Sequence, residues 1–261
     1  MKVKLLTYTP EPEKIVAAAA KLCYSPSSID DIMDGLTPEK TGSYVKMIEE
    51  LGHGSIVEHA SYTFAVEGVS RALLAQITRH RIASFSVQSQ RYVSERDFEF
   101  VVPPEIEAIP QAKAEFIKAM KQAGESYDKL SDILTRAHKE KFTAAGEDEK
   151  SASGKASKLA NEDARFVLPN ACTTKMIFTM NARSLQHFFN IRCCNRAQWE
   201  IRELAFEMYK LVVAVAPHIF ASSGPSCMAG PCPEGKMSCG RAEEMRRKYA
   251  LAASTDKGEN G

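Results

Sequence analysis

Strand-like and helix-like stretches are interspersed along this chain, yet no glycine-rich turn joins a strand to a following helix. Neither G-x-G-x-x-G nor G-x-x-x-x-G-K-[ST] occurs in it. A dinucleotide-binding βαβ unit or a phosphate-binding loop of those kinds is therefore unsupported. The fold class expected is α+β, with a mostly antiparallel sheet flanked by long helices.

The local patterns place the elements. Residues 2–9 alternate as a strand with Val3, Leu5 and Thr7 on one face. A helix is expected from Pro12 to Cys23. Thr37, Pro38 and Glu39 form a helix start, with a capping hydroxyl and proline at the first helical position. That helix should end near Gly52. Tyr62, Phe64 and Val66 alternate as a strand over 61–67. Residues 69–79 read as helical and 85–102 as extended. Glu105 to Phe142 is mostly helical, with Pro110 interrupting it or opening a second helix. The small, charged stretch 144–156, AAGEDEKSASGKA, reads as an exposed loop or mobile linker, and helix resumes near Lys158. A strand over Thr173–Thr179 leads into a helix from Ala182. A long helix, about Arg196 to Val215, carries Trp199, Leu204, Met208 and Leu211 on an apolar stripe. Phe188 and Phe189 read as core. No internal repeat is found, and the tail after Thr255 is expected to be disordered.

Composition narrows the class of function. The 261 residues suffice for one large domain, or a domain with a subdomain. A net charge of +1 gives no general pull toward nucleic acid or anionic membrane. Affinity for anions must then come from local arginine clusters. The N-terminus, MKVKLLTYTPEP, does not read as a signal peptide. No segment approaches the roughly 18 apolar residues of a membrane span. The expected location is the cytoplasm, where the seven cysteines are thiols rather than disulfides. Cys227, Cys232 and Cys239 fall in SCMAGPCPEGKMSCG. They could bind a metal, with His218 as a fourth ligand, but no C-x-x-C pair is present. A turn-rich tail with free or oxidised thiols, and no metal, is the expectation. Cys193 and Cys194 read as small buried apolar residues.

The densest polar constellation is Arg79-His80-Arg81, followed by Ser84, Ser86, Ser89 and Arg91. Two guanidinium groups and an imidazole offer fixed donors for phosphate or for the carbonyl oxygens of a flavin. On an extended segment Ser89 and Arg91 point to one side, which makes a small anion clamp. The plainer reading is a solvated basic turn.

These residues resemble the signature of the flavin-dependent thymidylate synthases, R-H-R, seven residues, S-x-R. Arg79-His80-Arg81 and Ser89-Gln90-Arg91 fit it without a gap. Gly52-His53 with Glu58-His59 resembles the family's flavin-side histidine segment. Arg165-Phe166-Val167-Leu168-Pro169 is similar to its second phosphate-arginine segment. Asn181 to Leu185, Asn190-Ile191-Arg192 and Ala197 to Glu200 are similar to its C-terminal block. The resemblance spans roughly residues 1–220, leaving 221–261 as a cysteine-containing tail.

The resemblance implies reductive methylation of dUMP to dTMP. Methylenetetrahydrofolate would give the one-carbon unit, FAD would carry the hydride and NADPH would be the reductant. It implies a homotetramer with shared active sites. It implies FAD contacts from Ser55, Arg79, His80, Arg81, Asn181, Arg183 and His187. It implies dUMP contacts from Gln76, Arg79, Ser89, Gln90, Arg91, Arg165 and Arg192. His53 would lie near the flavin ring and the folate, and Arg192 would act on the uracil. Members often carry Glu or Gln two residues before the signature serine. Val87 stands there, so only a backbone contact to FAD carries over. An amide is common where His187 stands, and imidazole can still hydrogen-bond. Plainer readings exist: His53 as a helix cap, Asn181 and Arg183 as a strand-to-helix turn, His80 and His187 bonded to backbone carbonyls, Arg165 on a surface. Two rival functions are an RNA-binding protein using the Arg/His cluster and a flavoenzyme that binds a nucleotide without methylating it. Near-neutral charge and the missing aromatic RNA motif weigh against the first.

Overall fold

The computed structural model describes residues 1–254, so the tail expectation after Thr255 lies outside the described residues. In chain order the elements are β1 (Lys2–Tyr8), α1 (Pro12–Leu22), α2 (Ile29–Asp34), α3 (Pro38–Leu51), β2 (Ser61–Ser70), α4 (Arg71–Ile77) and β3 (Ser84–Val87). Then come α5 (Pro104–Glu107), α6 (Pro110–Ala144), α7 (Glu149–Ala164), β4 (Thr173–Asn181), α8 (Ala182–Arg192), α9 (Trp199–Val215) and α10 (Ala242–Ser254). The strands form one sheet in the order β1-β2-β4-β3. Pairing is antiparallel, as the sequence suggested, because partners descend as residues ascend. Thr63 Oγ1 lies 2.9 Å from Thr179 Oγ1, Phe64 stacks on Phe178, and Arg71 N donates to Cys172 O at 3.0 Å. Phe85 likewise faces Phe178, and Gln88 N donates to Lys175 O at 3.0 Å.

Several boundaries follow from local chemistry. Thr37 Oγ1 accepts from Lys40 N at 3.4 Å, and Pro38 opens α3. Gly52, at φ 70°, ends it in the left-handed region that glycine tolerates. Its N–H and that of His53 turn back to Glu49 and Ile48 carbonyls. Pro110 stands at the head of α6, where its missing N–H costs nothing.

Two expectations are corrected, and one element is added. Residues 144–156 are not a loop throughout: α7 starts at Glu149, with Asp148 Oδ1 accepting from the N–H groups of Lys150 and Ser151 at 3.1 and 3.0 Å. Ala152, Ala156, Ala160 and Ala164 are buried along one face, and α7 packs on α6. Small residues every fourth position let two helices approach closely. Residues 85–102 are extended as a strand only to Val87, apart from an isolated bridge between Phe100 and Cys172. Ser94 to Asp97 carry no apolar alternation, and Asp97 takes φ 55°. The tail also contains α10, whose buried Met245, Tyr249 and Ala252 give it an apolar face.

The chain divides into two compact units. Among the described residues, the first comprises 1–66, 76–86 and 177–254; the second comprises 67–75 and 87–176. In the first, α1 packs on α2 and α3, α8 on α9, α9 on β1, and α10 on α9. Its core includes Tyr62, Phe64, Phe178, Phe188, Phe189 and Phe220, all buried. The second is built on the α6–α7 hairpin. Tyr127, buried there, receives Glu95 N–H at 3.1 Å and donates to Asn161 Oδ1 at 3.3 Å.

Candidate functional site

In the first unit, Arg79-His80-Arg81 follows directly on α4 and meets the end of α8. His80 Nε2 accepts from Arg192 Nε at 3.1 Å, and Arg192 Nη2 donates to Gln76 O at 3.4 Å. The edge of Phe188 packs on His80 with ring centroids 4.9 Å apart, and His187 lies 6.1 Å away. Burial first, then the charges of Arg192 and His187, push His80 down to about 4 from 6.5. The imidazole is therefore neutral near pH 7, as its role as an acceptor requires. Burial and the nearby charge of Arg79 lower Arg192 from the usual guanidinium value. Two like charges are thus held together, and among the described residues no carboxylate pairs with Arg79, Arg81 or Arg192. An anion or an electron-rich ring would relieve that repulsion. Gln76, Arg79, His80, His187 and Arg192 are brought together; Arg81 is exposed beside them.

A second group in this unit surrounds Gly54. Arg183 Nη1 contacts Glu58 Oε1 at 2.5 Å, and a Cβ on Gly54 would stand 3.3 Å from Arg183 Nε. Ser55 is exposed next to this pair. Asn181 Oδ1 caps α8 by accepting Ser184 N–H at 2.9 Å. The His53 ring borders a cavity of about 500 Å³ whose walls include Tyr24, Tyr44, Met47, Leu51 and Ile56.

The second unit holds the remaining residues. Arg91 Nη2 pairs with Glu162 Oε2 at 2.7 Å, while Arg165 Nε donates to Glu162 O at 3.1 Å. Ser89 Oγ accepts from Arg91 N at 3.2 Å. Gln90 is 8% exposed, and its buried Nε2 finds no partner. A buried donor without an acceptor costs about 1–3 kcal/mol, which a ligand oxygen would remove. Val87 ends β3.

Sequence reasoning missed Glu162, Glu58 and Phe188 as neighbours of the flagged residues. Glu162 stands one helical turn before Arg165, the only local signal for it. Nothing local pairs Glu58 with Arg183.

The cysteines divide. Burial pushes the Cys193 thiol up to about 12, leaving it protonated. Cys227, Cys232 and Cys239 border one small cavity together with Cys194. His218, weighed as a fourth ligand, lies elsewhere: its Nδ1 is 2.7 Å from Glu13 Oε2. Among the described residues no group of three or more His, Cys, Asp or Glu side chains is tight enough to hold a metal as it stands. No described helix is long and apolar enough to cross a membrane.

The family model described as thymidylate synthase complementing protein matches residues 4–218. The flavin-dependent thymidylate synthase of Clostridium tetani is 53% identical over 249 residues, covering 95% of this chain and 97% of that protein. That of Geobacter sulfurreducens is 47% identical over 251 residues, covering 95% and 98%. In fold, the chain is similar to a Helicobacter pylori flavin-dependent thymidylate synthase crystallised with FAD and dUMP. The TM-score is 0.60 at 24% identity, over 86% of this chain and 100% of that one.

Proposed function

We infer the activity from one premise: this chain belongs to the flavin-dependent thymidylate synthase family. It is an enzyme that converts dUMP to dTMP. The co-substrates are methylenetetrahydrofolate and NADPH, and the products are dTMP, tetrahydrofolate and NADP. The observation that carries the reading is the pair of uncompensated cations, Arg79 and Arg192, held beside a neutral His80. That arrangement suits an electron-rich ring carrying negative charge.

The residues present fit FAD and dUMP. Arg79, Arg81, Arg183 and Ser55 are exposed donors, and His80 and His187 add imidazoles. These six, with Asn181 and the main chain at Val87, would hold the flavin. FAD, when bound, would supply the hydride for reduction of the transferred carbon. Ser89, Gln90, Arg91 and Arg165 would hold the phosphate side of dUMP. The orphaned Gln90 Nε2 supports that assignment. Gln76 and Arg79 would contact the nucleotide, and His53 would border the folate. Arg192 would stabilise the uracil anion, since carbon 5 is otherwise a poor nucleophile. Its guanidinium is too basic to remove a proton itself. Cys193 stays protonated and offers no thiolate.

The working form is a homotetramer with sites shared between subunits, located in the cytoplasm. Light scattering that finds a fully active monomer would overturn the first point. For the activity, the FAD-loaded chain is given NADPH, methylenetetrahydrofolate and dUMP. dTMP should form only when all are present. A yellow protein that oxidises NADPH yet forms no dTMP would replace this reading with that of a nucleotide-binding flavoenzyme.

A further inference from the structure

Between the end of α9 at Val215 and the start of α10 at Ala242 the backbone forms only a single short helical turn, Gly235–Met237. Irregular segments of such length within a compact unit are uncommon unless something besides apolar packing orders them. Here the thiols gather. Cys227 and Cys232, Cys239 from just before α10, and Cys194 from just after α8 all border one cavity of about 20 Å³.

The framework around that cavity is fixed from behind. Arg246, on α10, donates to Cys227 O at 2.9 Å and to Gly230 O at 2.6 Å. Arg196 donates to Met237 O at 2.9 Å and meets Glu234 Oε2 at 3.1 Å. Asn195 Nδ2 points at Cys239 Sγ from 3.8 Å. Gly240 takes φ 72°, and its N–H donates to Ser238 Oγ at 3.2 Å, which shapes the turn that follows Cys239. A donor aimed at a ligating atom, as Asn195 is at Cys239, is what a metal site uses to orient its ligands.

We propose that Cys194, Cys227, Cys232 and Cys239 form a four-thiolate site for one divalent ion of the zinc class, which fastens the segment before α10 to the end of α8. As placed, the four sulfurs line the cavity without grouping around one point, so binding would require them to converge. Binding replaces up to four S–H bonds by four metal–sulfur bonds and releases the corresponding protons, with no change of oxidation state.

The test uses the full chain with its flavin, purified under reductant without chelator. Elemental analysis should find about one zinc-class ion per chain. After its removal, Co²⁺ should bind in equal amount. Its ligand-field bands should be those of tetrahedral sulfur coordination, at wavelengths where oxidised flavin does not absorb. Asn195→Ala should keep the bands and weaken Co²⁺ binding by about 10-fold, as outer-shell changes do. Cys239→Ser should alter the bands and cost more than the roughly 100-fold upper end of such changes. Cys239 is exposed, so this variant removes no core packing; Cys23→Ser, also exposed, should change neither. A folded, reduced chain that takes up neither Zn²⁺ nor Co²⁺ would overturn the proposal. So would a disulfide among the four cysteines in that preparation, or iron with sulfide in place of a single ion.

Discussion

The cluster at Arg79 and Arg192 and the pair at Arg91 and Glu162, one in each unit, hold their cations in opposite ways. In the first, Arg79 and Arg192 stand near each other without a carboxylate, and the neighbouring His80 is kept neutral by burial. In the second, Arg91 is already paired with Glu162, Ser89 Oγ accepts a backbone N–H while keeping its own O–H, and Arg165 Nε donates to a carbonyl. The first cluster leaves its cations without a carboxylate, which a bound anion would complement. In the other Arg91 already has a counter-charge, so a phosphate bound as proposed would have to displace Glu162. Under the proposed function, the first cluster would supply a preorganised field for chemistry and the second exchangeable contacts for binding.

The largest effect should come from the first unit. Arg192→Ala removes a preorganised donor, and such losses cost about 10²–10³ in kcat. Steady-state dTMP formation at saturating dUMP, with flavin occupancy confirmed, checks this. Near-normal turnover would dissolve the contrast. Arg192→Lys keeps the charge but loses the planar fork, and should be slow rather than inactive.

Next comes the second unit. Arg91→Ala and Ser89→Ala should each weaken dUMP by about 1.5–3 kcal/mol, with little change for deoxyuridine. Calorimetric titration of both ligands decides it. Equal losses would mean that these side chains do not contact phosphate.

A pH effect should be smaller, because His80 is only half-buried. Its folded value of about 4 lies below the ordinary 6.5. The unfolded chain therefore binds a proton that the folded chain refuses. This contribution to stability is complete above about 6.5 and is lost as pH falls toward 4. Thermal melts across that window should fall less steeply for His80→Gln than for the parent. Parallel slopes would show that His80 is not held neutral.

The smallest effect should be a gain. Glu162→Gln frees Arg91 from a partly exposed pair worth up to about 1 kcal/mol, so dUMP should bind up to about 5-fold more tightly. A loss of affinity would mean that Glu162 positions Arg91 rather than competing for it.

Much of this molecule was written locally. The Thr37-Pro38 start and the Gly52 stop bracket α3 because capping and left-handed backbone depend on the residues themselves. The alternation at Tyr62, Phe64 and Val66 gave β2 its buried face, and the ordered signature from Arg79 to Arg91 gave the family. Helix α7 was legible too, in the Asp148 cap and an alanine every fourth residue, but its small and charged composition read as loop. The apolar face of α10 went unread beside the cysteines.

The rest depended on folding. Arg192 reaches His80 across 112 positions, and Arg183 reaches Glu58 across 125. Glu162 neutralises Arg91 from another element. Cys194 joins the three later cysteines, while His218 goes to Glu13. Local propensity is set by interactions within a few residues and can be read along the chain. Charge pairing and pKa are set by what the folded backbone brings within a few ångströms, and only tertiary packing decides that.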